Sequence, residues 1–378
     1  MCRSVTNCFL ASEKSHPRFL LAPSLRSGMG IEMNIREKAA EKDLVLTVDM
    51  YGCPNRCRHC WLGHMPNRKM EDGADEWIVD CFRPYFKRIS FYSWLREPDF
   101  CDDYRERWQR DIALSVQKVP ERYELASFWR IVRDPEYVPF LKEVGVKAVQ
   151  LTFFGLEETT DRFVGRTGAF RELLQATKLL AANGIAPRWQ AFLYEENKEE
   201  IVELLKLSEE LHLRERCRGF GAEFRFFVHT GSCDGENRKQ YDIWIRKENI
   251  PEALIPFYSG YESLLTEREC CERLRGDTMH WVHHNGKEIV LLISNTCDVF
   301  FNFTHMTREW KIGNLKTDDR EELIRRVVEE DIPALNLAGK VTLGELAARY
   351  GNPESDRAFH LNDYKDYLLN RYLEDVCS

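Results

Sequence analysis

The stretch DMYGCPNRCRHCWLGH, residues 49 to 64, brings three of the chain's thirteen cysteines together as Cys53, Cys57 and Cys60. Clustered thiols of this kind bind metal or do redox chemistry. A structural zinc ion normally completes four ligands, and no second CxxC lies nearby, so His59 or His64 would have to be the fourth. The CRHC tail alone matches a dithiol redox pair, but that gives Cys53 no role. Three thiolates on a cubane of four irons use all three cysteines and leave one iron open to a substrate or cofactor.

Composition describes the setting. A chain of 378 residues, 43% hydrophobic and 12% aromatic, can bury a substantial core, and its length predicts one large domain plus a smaller one, or two domains. Its formal net charge of -8 argues against a general affinity for nucleic acid or anionic membranes. No run of about 20 apolar residues is present, and the N-terminal stretch FLASEKSHPRFLLAPS is too interrupted for a secretory signal. Reduced cysteines and a cytoplasmic location are the expectation.

The cysteine loop needs elements to position it. After a loose leader over residues 1–41, the segments 44–49, 88–93, 123–128, 146–154, 186–194 and 221–229 read as strands. Amphipathic helical stretches lie between most of them, clearest in AFRELLQATKLLAANG, which ends in Asn183-Gly184, and NKEEIVELLKLSEELH, which opens on Asn197. Six strand–helix units with right-handed crossovers predict an α/β fold, a partial (β/α)6 TIM-like barrel over residues 42–230. In such barrels chemistry sits at the C-terminal ends of the strands, and the cysteine loop directly follows the first strand.

Alternation along the strands predicts what fills the barrel. Val149, Leu151 and Phe153 share one face with Trp189, Ala191 and Leu193 and with Phe224, Phe226 and Val228, the face that crossover helices must cover. The opposite set, Gln150, Thr152, Arg188, Gln190, Tyr194, Glu223, Arg225 and His229, should point inward and line a polar ligand cavity. A buried ion-pair network is the alternative. Arg188, Gln190 and Arg225, with Arg130 at the rim in SFWR, are the candidate substrate contacts.

Taken with the partial barrel, CxxxCxxC resembles the hallmark of the radical S-adenosylmethionine (SAM) enzymes. The resemblance implies one 4Fe-4S cluster on Cys53, Cys57 and Cys60, with SAM chelated at the open iron. It also implies an electron donor such as flavodoxin or ferredoxin, reductive cleavage of SAM, and a 5′-deoxyadenosyl radical that abstracts hydrogen from a substrate. Many members carry Gly-Gly-Glu-Pro after the second strand; here ISFYSWLREPDF keeps Glu97 and Pro98 but has Leu95 and Arg96 for the glycines. Glu97 is then the candidate acceptor for the SAM amino group. LTFFGLEETTDRFVGRTGAF is similar to a segment of peptide-modifying members, with Thr152 as the hydroxyl contact to SAM and Gly155 at the turn. Val164 stands where an arginine is expected, and Arg166 is the candidate substitute for binding the SAM carboxylate.

Residues 231–378 are expected to form a helical cover and a small β-hairpin module. HWVHHNGKEIVLLISNTCDVFFNFTHM reads as three strands with turns at Asn285-Gly286 and SNTCD, followed by KIGNL. This resembles a SPASM or twitch module, but with Cys297 alone in the hairpin and Asn302 near an expected cysteine position; no second cluster is predicted. His280, His283 and His284 do not share one strand face, which argues against a joint metal site. The substrate expected from the motifs is a peptide or protein, with a small molecule, or a non-catalytic iron–sulfur or zinc module, as alternatives.

Overall fold

The computed structural model describes residues 34–122, 124–231, 235–282, 286–301 and 306–377. Most of the expected leader lies outside these residues, and its last part is helical rather than loose. Strand β1 (Asp43–Val48) follows helix Ile35–Ala40, whose N-cap Asn34 and Glu37 form a reciprocal capping box. β1 pairs in parallel with β2 (Arg88–Tyr92), and a second parallel sheet runs β3 (Ala148–Phe153), β4 (Ala186–Phe192), β5 (Arg225–His229). Helices Ala74–Phe82, Tyr104–Leu114, Ala169–Ala182 and Lys198–Glu210 lie between strands. The structure is an α/β partial TIM-like barrel.

The predicted alternation holds best in β3, where Val149, Leu151 and Phe153 are buried and Gln150 and Thr152 are half-buried. In β4, Trp189 joins the same core cluster as Leu173, Ala176 and Leu180 of helix Ala169–Ala182, and its Nε1 donates to Thr177 Oγ1 at 2.9 Å. Both predicted helix limits are close, but Asn197 does not cap through its side chain. Its Oδ1 accepts from Tyr194 N, while Nδ2 donates to the carbonyls of Phe154 and Phe192, tying the ends of β3 and β4.

Two strand expectations fail. The segment 123–128 is not a ladder strand: Tyr123 lies outside the described residues, Glu124 offers one carbonyl to Gln150 N at 2.7 Å, and Phe128–Ile131 is a helical turn capped by Ser127. Local side-chain capping outcompetes β-pairing there. HWVHH is also not a strand among the described residues, since His280 makes only an isolated bridge to Thr342, and His283 and His284 are outside them.

The later hairpin is present, with β7 (Glu288–Ile293) antiparallel to β8 (Asp298–Phe301) around the SNTCD turn, and β9 (Lys311–Asn314) beyond. It does not stand apart from the barrel. β7 pairs in parallel with β1 along its whole length, from Asp43–Glu288 to Val48–Ile293, so the sheet order is β2-β1-β7-β8-β9. Phe300, Phe301 and Trp310 share one apolar cluster with Leu44 and Leu46 of β1, Phe91 of β2, and Ile289, Leu291 and Ile293 of β7.

Candidate active site

The cysteine loop leaves β1 at Asp49 and is held by buried polar contacts. Arg96 forks onto Asp49, Nε to Oδ1 at 3.0 Å and Nη2 to Oδ2 at 2.8 Å, and also donates to the carbonyls of Met65 and Pro66. Asn295 in the hairpin turn donates to Pro66 O and Asp49 Oδ2. Asn67 brackets Cys53, accepting from its N–H at 3.1 Å and donating to its carbonyl at 2.8 Å. A Cβ on Gly52, at φ +98°, would lie 2.4 Å from Asn67 Oδ1, so only glycine lets this bracket close. On the other side, Arg56 N and Arg58 N donate to the carbonyls of Val164 and Phe163.

Cys53, Cys57 and Cys60 line one cavity of about 620 Å³ with Glu97, Thr152, Gln190, His229, His360 and Asp363. Burial pushes all three thiols up, reinforced at Cys53 and Cys57 by the Glu97 carboxylate and the neighbouring thiols, a cost that bound cationic iron would offset. Neither proposed fourth zinc ligand converges on them. His64 Nε2 donates to Cys57 O at 3.0 Å, and the His59 ring lies 4.6 Å from both Phe154 and Phe192 with its Nδ1 buried and unpartnered. Among the described residues, no three His, Cys, Asp or Glu groups converge on one metal ion. Thiols that share a cavity without meeting at a point suit a cluster, which gives each thiolate its own iron.

Glu97 is half-buried beside Cys53. Its Oε1 accepts from Ser127 Oγ at 2.5 Å, its Oε2 lies 3.7 Å from Cys53 Sγ, and burial pushes its carboxyl up to about 7. Thr152 faces the cavity and lies 3.0 Å from the Gln190 amide, which also meets Gln150 at 2.6 Å and His229 Nε2 at 2.5 Å. Gly231 N–H donates to His229 Nδ1 at 3.0 Å. Gln190 Oε1 accepts from Gln150 Nε2 and Thr152 Oγ1, and its Nε2 faces His229. Burial holds the His229 imidazole down at about 4, which keeps it neutral.

Four predicted contacts lie elsewhere. Arg166 does not line the cavity; it pairs with Glu172 at 2.7 Å and donates from Nε to Asn55 of the cysteine loop, so it positions that loop. Arg130 is buried and donates to the carbonyls of Asp99 and Cys101, clamping the turn after Glu97. Arg188 is paired with Glu124 and lies over the Phe227 ring at 4.5 Å. Arg225 and Glu223 are exposed. Arg188 and Arg225 are register partners at the start of their strands, the mouth opposite the cysteine loop. Alternation fixes a face but not a height along the barrel, which is why these two were misassigned. Tyr194 is buried on Asn237 rather than in the cavity wall. Gly155, at φ +136°, makes room for Glu200, whose carboxylate accepts from Leu156 N and Thr159 Oγ1.

His360 and Asp363 were missed, because nothing local marks a terminal helix as part of a cavity. Most other described cysteines are buried in packing, among them Cys297 at φ +66° in the hairpin turn, Cys270 in the core, and Cys271 3.1 Å from Tyr364 Oη, while Cys377 is exposed; Cys233 and Asn302 lie outside the described residues. No described helix is long and apolar enough to cross a membrane.

One comparison with known proteins bears on the site's chemistry, a match to a family model. Residues 47–208 match the family model of the radical SAM superfamily. Among solved structures, anSMEcpe with bound AdoMet and Kp18Cys peptide is 14% identical at a TM-score of 0.49, covering 88% of this chain and 98% of that one. Streptococcus suis SuiB bound to S-adenosylmethionine is 14% identical at 0.37, covering 79% and 68%. No curated protein matches the chain. With the three-cysteine loop after β1 inside the matched segment, the chain carries a radical SAM domain over residues 47–208 and is an enzyme.

Proposed function

We propose that Cys53, Cys57 and Cys60 hold a single 4Fe-4S cluster and that the enzyme acts on a peptide or protein side chain. The observation that carries this reading is the sharing of one cavity by the three thiols and the polar wall of Glu97, Thr152, Gln190 and His229. The cluster and SAM supply the hard chemistry, reductive cleavage to a 5′-deoxyadenosyl radical that abstracts hydrogen. The chain's own residues bind and orient. Glu97 and Thr152 offer acceptors to the cofactor's polar groups, Asn67 and Arg96 set the loop, and Arg166 and Gly155 position its neighbours. The peptide assignment rests on the motif likeness of LTFFGLEETTDRFVGRTGAF, and flavodoxin or ferredoxin in the cytoplasm is the proposed electron source.

Anaerobic reconstitution tests it. The protein should take up about four irons per chain, the content of one cubane, and SAM should perturb the EPR signal of the reduced cluster. Reduced protein with SAM should release 5′-deoxyadenosine. Cys57→Ala should abolish release with an unchanged circular dichroism spectrum, since a loop thiol contributes little packing. An EPR signal indifferent to SAM would end the reading. Profiling peptides and metabolites in cells with and without the gene separates a peptide substrate from a small molecule.

A further inference from the structure

The cavity wall beyond β5 is supplied by the end of the chain. β10 (Ala358–His360) pairs antiparallel with β6 (Leu264–Thr266), with His360 opposite Leu264, and helix Leu361–Cys377 follows at once. Tyr364, Tyr367 and Leu368 anchor that helix in a core cluster with Phe359 and Trp244. This fixes His360 and Asp363 in the wall of the cysteine-lined cavity. His360 Nδ1 lies 3.2 Å from Ser263 Oγ. His360 lies against Gly260, and the adjacent Ser259 N–H donates to the Val228 carbonyl of β5, which places His360 on the β5 side, whereas Glu97 follows β2.

Asp363 has no hydrogen bond or ion pair among the described residues. Its acidic neighbour Asp366 adds negative charge, and burial with that neighbour pushes the Asp363 carboxyl up to about 7. The cations along the same cavity do not serve it: Arg96 is forked onto Asp49, and Arg56 is exposed on the cysteine loop. A carboxylate kept in a cavity without a counterion is costly unless a ligand brings the positive charge.

We propose that Asp363 determines substrate specificity by receiving a cationic side chain, an ammonium or guanidinium group, on the β5 side of the cavity. This rests on the function proposed above and names the substrate class: a segment bearing lysine or arginine. The apolar stem of such a side chain would lie along Phe192, with the charge meeting Asp363 beside His360.

Binding tests it with full-length reconstituted protein and two isosteric probes, Nα-acetyl-lysine amide and Nα-acetyl-norleucine amide. The wild type should prefer the lysine probe by about tenfold or more, the scale of a charge-assisted hydrogen bond. Asp363→Asn should lose the preference, and Asp363→Glu should keep part of it. Removing an unpartnered, half-buried carboxylate should not lower Tm, so loss of binding would not report unfolding. Equal binding of the two probes by wild type, or an unchanged preference in Asp363→Asn, overturns the proposal. So does weakened SAM binding in Asp363→Asn with the lysine preference intact, which would assign the carboxylate to the cofactor. Wild type that releases 5′-deoxyadenosine yet ignores the lysine charge sinks this inference alone. Absent release with a retained lysine preference sinks the radical reading instead.

Discussion

At the residue scale, burial decides what each ionisable group does. Asp111 accepts from Ser93 N at 3.0 Å and Ser93 Oγ at 3.1 Å through Oδ2, while Oδ1 is buried without a partner. Burial pushes its carboxyl up to about 8. The folded state therefore keeps a proton that the unfolded chain releases near its ordinary value of 3.8. Stability from this group is fully present below that value and is lost as pH rises through the folded value. Asp111→Asn should flatten this fall. The check is the urea midpoint of wild type and variant at about pH 5 and about pH 8, the two ends of the window. An identical pH slope in the two proteins would show that Asp111 is ionised throughout. Burial acts the same way on His229, which has both nitrogens engaged and stays neutral.

At the element scale, the cysteine loop is positioned by side chains from two other segments and by one of its own. Arg96 follows β2, Asn295 belongs to the β7–β8 turn, and Asn67 closes the loop on itself. The Arg96–Asp49 pair is 7% and 1% exposed, so removing one partner strands a buried charge. Arg96→Ala should cost about 3–5 kcal/mol of folding stability, the usual loss when a buried pair is broken from one side. Arg96→Lys should recover little, because an ammonium cannot reproduce the fork onto Asp49 and the reach to two carbonyls. Chemical denaturation of the three proteins measures this. Iron uptake in Arg96→Ala should fall with it, since the loop's exit at Met65 and Pro66 loses its anchor.

At the scale of the whole molecule, the C-terminal third completes the barrel. β7 covers the edge of β1 that faces away from β2, and Ile289, Leu291, Leu292 and Ile293 are buried there. A side chain of this kind contributes about 1.5–3 kcal/mol when buried, against a total stability of about 5–15 kcal/mol for a domain. A chain ended at residue 281 should therefore be insoluble or molten, with β1 presenting an open apolar edge. Soluble expression and a cooperative unfolding transition for residues 1–281 would show that the barrel stands alone and that the boundary expected near residue 230 is a true domain boundary.

The sequence by itself determined the parts that depend on local spacing. Cys53, Cys57 and Cys60 were legible as one group of thiols lining a shared cavity, because they fall in one loop after one strand. The alternation of β3 and the helices Ala169–Ala182 and Lys198–Glu210 were legible because periodicity reports burial of a face. Only the tertiary structure decided which charges reach the cavity. Arg130, Arg166 and Arg188 have the right chemistry for substrate or cofactor, but each finds a nearer partner in the fold: backbone carbonyls, Glu172 and Glu124. Asp363 has none, and it reaches the cavity only because β10 pairs with β6 and turns the last helix inward. Spacing along a chain sets which side chains can share a face; whether a charge is satisfied depends on neighbours brought together by pairings far apart in sequence.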